Sequence, residues 1–157
     1  MRGEFPARRC AMAVALVVVM SNAGCAPHLV GPARTRDDFQ RKAKTTAQKA
    51  LSSVETVRLM AETAGRGDSF GPYTGITISE QEDSLNDVQG DFDSIQPPDH
   101  ASDEVRAELD ALLHDAMDHI AAVRVAARRG VLVGLDHVAA PLTTDSAALN
   151  SFLESVS

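Results

Sequence analysis

Between Phe39 and Ala64 a small or apolar residue recurs at every third or fourth position: Phe39, Ala43, Ala47, Ala50, Val54, Val57, Ala61 and Ala64. Steps of three and four put all eight on one stripe of an α-helix, whereas the period of two in a strand would scatter them over both faces. So long a stripe has to be covered by other elements. Because most of it is alanine, the cover must come close. Thr35, three residues before Asp38, supplies a capping hydroxyl at the start, and Gly65 supplies a stop. The spacing therefore predicts a helix over 36–64.

The rest of the chain offers three covers. Leu85, Val88, Phe92 and Ile95 form a stripe that predicts a helix over 79–96, opened by the capping box Ser79-x-x-Glu82 and ended by Pro97-Pro98. Val105, Leu109, Leu112, Ala116, Ile120, Val123 and Ala127 predict a third helix over 102–129, starting near Asp99 or Ser102 and ended by Arg128-Arg129-Gly130. Leu149, Phe152, Leu153 and Val156 predict a last one over 143–156. The stretch 65–77, GRGDSFGPYTGIT, reads as a loop on its four glycines and one proline. Residues 131–140 read either as a helical extension or as a buried connector, closed by Pro141. No internal repeat and no long alternating pattern is present. The expected fold class is all-α: an antiparallel up-and-down four-helix bundle over 35–157.

The first thirty residues have a different build. Arg2, Arg8 and Arg9 precede the apolar run Ala11 to Met20, whose ten residues would reach about 15 Å as a helix, half of a hydrocarbon core. That is the pattern of a signal peptide over 1–24 rather than of a membrane span. Two cleavage readings follow. Ala23-Gly24-Cys25 resembles the lipobox of bacterial lipoproteins, although Asn22 stands where an aliphatic residue is usual. That resemblance implies a diacylglycerol on Cys25 and cleavage before it. Ser21-x-Ala23 also passes as an ordinary small-x-small site, which would release a secreted protein with a lone thiol. An uncleaved anchor is the third reading. Arg8-Arg9 leaves export by the general or the twin-arginine route open. Residues 25–34, with two prolines and a glycine after the cysteine, read as a tether.

Composition narrows the function classes. The sequence has two cysteines; Cys10 leaves with the signal and Cys25 carries lipid, so no disulfide framework holds the mature fold. Three arginines and one glutamate also leave, which shifts the net charge from −7 to −9. So acidic a domain is unsuited to nucleic acid, whose phosphates require a basic footprint. The absence of Trp and the single Tyr argue against stacking platforms for bases or sugars.

Chemistry-bearing patterns are sparse. Arg66-Gly67-Asp68-Ser69 matches the integrin-binding tetrapeptide, but a helix stop followed by a polar turn produces the same string. Asp115 and His119, four apart, share a helix face and could hold a metal, with Glu108 two turns earlier. Ferritin-like sites, however, need a second Glu-x-x-His half, which is missing. His114 and Asp118 repeat the spacing on another side. Haem held by His119 or His137 with Met117 or Met60 would have to be non-covalent, because no Cys-x-x-Cys-His run exists. No nucleophile elbow is present. No metal, no cofactor and no catalytic residue is expected.

Charge is the clearest non-random feature. Arg34, Arg36, Arg41, Lys42, Lys44 and Lys49 crowd the start of the first helix, while 67–105 contains no Lys or Arg and many carboxylates. The basic start would pair with Asp91 and Asp93 across a helix hairpin, rest on anionic headgroups, or both. Signal, lipobox and a small Ala/Arg/Asp-rich helical domain together resemble the uncharacterised lipoproteins of high-GC Gram-positive bacteria. The resemblance implies an address on the outer face of the cell membrane, lipid-anchored through Cys25, and no activity. The expected function is a non-catalytic interaction or structural module of the cell envelope, with another envelope protein as partner. The alternative is a ligand or metal carrier that uses the Asp115/His119 face or the bundle interior. Replacing Cys25→Ser should move the protein from the membrane fraction to the medium or leave it unprocessed. Unchanged processing and membrane association in a fractionation assay would dismiss the lipobox.

Overall fold

The structure, a computed structural model, describes residues 31–156; the signal peptide expected over 1–24 and Cys25 lie outside the described residues. It is all-helical: α1 Arg36–Gly65, α2 Gly71–Asp93, α3 His100–Arg128, α4 Leu135–Val138 and α5 Leu142–Ser155. Helix α1 touches all four others, and α3 touches α2, α4 and α5. Helices α2 and α5 meet only through the α1–α3 pair, so they lie on its opposite sides. No described helix is long and apolar enough to cross a membrane.

The α1 stripe is buried along its whole length, from Phe39 to Ala64. Alanine makes this central position possible: with a single methyl at most contact points, α2, α3 and α5 approach one axis together. The large side chains come from the covers. At the end near residue 39, Phe39 and Phe92 meet at 5.5 Å between ring centroids, and the Arg106 guanidinium stands over both rings at 5.7 and 5.2 Å. Arg106 also donates to the carbonyls of Phe92 and Asp93, the unpaired end of α2. One turn on, burial and the nearby Asp93 charge push the Asp110 carboxyl above its usual range, and Arg106 opposes the shift.

Three expectations change. Helix α2 begins at Gly71, eight residues before the expected start, so Ser79 opens nothing. Its hydroxyl donates to the Gly75 carbonyl inside the helix instead. Pro72 falls in the first turn, where a fixed φ and a missing N–H cost nothing, and buried Thr74 and Ile78 continue the stripe backwards. On α3 the buried residue is Leu113, while Leu112 is only half-buried; the core row runs Leu109, Leu113, Ala116, Ile120, Val123. Residues 131–140 form neither an extension nor a buried connector. They hold the single-turn α4, with Leu135 and Ala139 buried and Val131 and Val133 exposed.

The ends follow the chemistry that the sequence suggested. Thr35 Oγ1 accepts from the Asp38 N–H. Asp99 caps α3, accepting from the N–H and hydroxyl of Ser102 at 2.9 and 2.8 Å; these bonds, then Arg36, hold its carboxyl below the usual range. Gly130, at φ 77°, closes α3 with bonds from its own N–H and that of Val131 to Ala127 and Ala126. The expected pairing changes here: Arg36, at the basic start of α1, pairs with Asp99 at 3.0 Å rather than with Asp91 or Asp93, and Asp93 has Arg106 of α3 at 3.9 Å.

Phe92→Ala removes a fully buried ring and one of the two that hold Arg106, which should cost about 3–5 kcal/mol. A thermal melt should then fall by more than about 10 °C. Phe70→Ala, at a side chain 74% exposed, should move stability by less than about 0.5 kcal/mol. Equal small shifts at both positions would contradict this packing.

Candidate functional site: a groove between α2 and α3

The early start of α2 builds a surface feature. Gly71, Gly75 and Ser79 fall four apart, on the α2 side that faces the end of α3, and leave a groove of about 590 Å³ beside Ala127 and Leu132. At Gly71 a Cβ would come within 3.1 Å of Leu132 Cδ1, so that side chain would have to give by a few tenths of an ångström. At Gly75 a Cβ would meet nothing within 4 Å, so internal packing does not call for glycine. It nevertheless sits inside a helix, at a cost of about 1 kcal/mol relative to alanine. Glu80 and Asp83 stand on the α2 side and Arg128 on the α3 side, its NH2 3.3 Å from Ser79 Oγ. A polar stretch of about 410 Å³ continues the groove past Asn86 and Met117, where Arg124 pairs with Glu82.

Ile76 lines the apolar half and is exposed, as are Phe70, Val131 and Val133 next to its lining residues Gly71, Gly130 and Leu132, Val133 to 85%; exposed Tyr73, two residues from both Gly71 and Gly75, leaves α2 on the other side. Phe70 alone leaves on the order of 150 Å² of apolar surface in water. With the three aliphatics, the patch reaches the few hundred Å² that on a monomer ordinarily marks a functional surface. The tether enters elsewhere. Lys42 Nζ donates to the Gly31 carbonyl at 2.7 Å, Ala33 is buried in the core, and Gly31 and Pro32 line a hollow with Ser94 and Pro97. That is the C-terminal end of α2, roughly 25–33 Å along the helix from residues 71–76.

The residues singled out from sequence are distributed differently. His119 does not turn to Asp115. Its Nδ1 lies 2.7 Å from Asp145 Oδ2 on α5, and that carboxylate is 6% exposed, while Asp115 is exposed. Next to Asp145, the Ser146 hydroxyl donates to Glu55, whose two carboxylate oxygens both accept from Arg58 Nη1 at 2.9 and 2.8 Å. These polar clips fasten α5 to α3 and α1. His114 stands 3.7 Å from Asp118, both largely exposed. Among the described residues no three His, Cys, Asp or Glu side chains gather as a metal site. Arg66 leans between Glu62 and Asp68, and Ser69 bonds Thr74, so the RGDS string is engaged in its own turn.

Asp145 and the groove were both missed. The first needs the tertiary pairing of α3 with α5. The second lies in a stretch that reads as loop from its glycines, where the four-residue repeat Gly71, Gly75, Ser79 is the available signal. No family model, no curated protein and no solved structure matches the chain.

His119→Ala strands a buried carboxylate and should cost about 1–3 kcal/mol in chemical denaturation. Adding Asp145→Ala should recover part of that loss, as a double-mutant cycle reads it. Purely additive losses would mean that the pair is not coupled.

Proposed function

We propose that this protein is a lipid-anchored lipoprotein of the outer membrane face whose helical domain is a non-catalytic docking module. The exposed apolar groove of α2 and α3, at the far end of α2 from the tether, carries this reading. A surface of small and apolar residues rimmed by charges suits a protein partner. It offers no nucleophile paired with a base and no convergent set of donors for chemistry. The lipobox-like Ala23-Gly24-Cys25 supports the address, and the tether hollow beside Pro97 would leave the groove turned away from the bilayer.

A photo-crosslinking residue, p-benzoylphenylalanine, placed at Ile76 of the full chain in cells should give a discrete adduct in the membrane fraction. The same probe at exposed Asp37, beside the tether, should give none. The absence of any adduct from Ile76 would refute a docking role for the groove.

A further inference from the structure

We infer that the groove's partner is a second copy of this chain, joined about a two-fold axis running along the groove. This rests on the reading of the groove as a docking face. A two-fold contact has to be self-complementary, with each level of one side matching the same level of the other. An axis parallel to the helices places α2 of one copy over α3 of its partner without changing height. The two sides of the groove are already level in the single chain: Leu132 approaches Gly71, and Arg128 approaches Ser79.

At the Gly71–Leu132 level both sides are apolar. Phe70 and Ile76 of one copy would meet Val131 and Val133 of the other, so each copy covers what the other exposes. At the Ser79–Arg128 level the sides are opposite in charge. Glu80 and Asp83 have no hydrogen bond or ion pair among the described residues, and the one described partner of Arg128 is the Ser79 hydroxyl. The axis puts these carboxylates of one copy against Arg128 of the next, twice over. Both copies carry a net negative charge, but at physiological salt charges beyond about 8 Å are largely screened, so the local match governs.

Gly75 then acquires a reason. It weakens α2 without relieving any contact inside the chain, and it keeps the groove floor low where a partner side chain would enter. The axis also preserves direction along the bundle. Both tethers leave from the same end, as two chains anchored in one membrane require; an antiparallel pairing would point them apart.

The test co-expresses two full-length chains with different epitope tags, both carrying p-benzoylphenylalanine at Ile76. The expected adduct has twice the chain mass and carries both tags. It should be lost in Gly75→Leu, whose side chain enters the open groove and leaves the melting temperature of the domain in place. Asp83→Arg should also abolish it, and Arg128→Asp added to Asp83→Arg should restore it. An adduct that joins one tag to a different protein would overturn the second copy while the docking role stands. No adduct would overturn both. A dual-tag adduct indifferent to Gly75→Leu and Asp83→Arg would overturn the two-fold arrangement.

Discussion

Close approach to α1 is the constraint from which the rest of this structure follows. Five alanines, two valines and one phenylalanine make up its stripe, so α2, α3 and α5 can share one axis. The cost is that α1 contributes little bulk, and the core volume falls to Phe92, Leu109, Leu113, Ile120, Leu149 and Phe152 on its neighbours. Each of those residues therefore carries a larger share of the packing than in a leucine-lined bundle.

Polar contacts fasten the ends of the shorter helices. Arg106 closes the end of α2 while its plane lies over two phenyl rings, combining a carbonyl cap with cation–π attraction. The shorter helix α5, with 14 residues against 30 in α1, is held by Asp145 with His119 and by Ser146 with Glu55. Hydrophobic contact alone would let so short a helix slide. Two hydrogen-bonded groups at its first turns fix its register on both neighbours.

Helical periodicity made most of the fold legible before any coordinates. The α1 stripe and the Leu85–Ile95 row match residue for residue, and Thr35 and Gly130 mark ends, because caps and stripes are local physics; Gly65 is the last helical residue of α1, and the left-handed turn falls at Gly67, φ 80°. What failed was also local, but ambiguous. Glycine and proline are loop residues by frequency, yet Pro72 sits comfortably in a first helical turn, and burial of Thr74 and Ile78 outweighs the entropy of Gly71 and Gly75. Leu112 and Leu113 are adjacent, so the spacing alone could not say which one faced inward. The candidate site was least legible, since a groove exists only after two helices have packed, and Asp145 meets His119 across 26 positions of sequence.

The bond from Lys42 to the Gly31 carbonyl has a consequence for distance. Backbone fastened to α1 is backbone removed from the slack of the leash, so on the proposed anchoring five residues, 26–30, remain between the lipid and the fold. Fully extended they span about 17 Å. Most of the height at which the groove would stand above the bilayer then comes from the helix rather than from the leash. On that proposal a rigid rod of fixed length would act as a ruler: the partners it would admit are those standing at that height, whatever else floats in the same membrane.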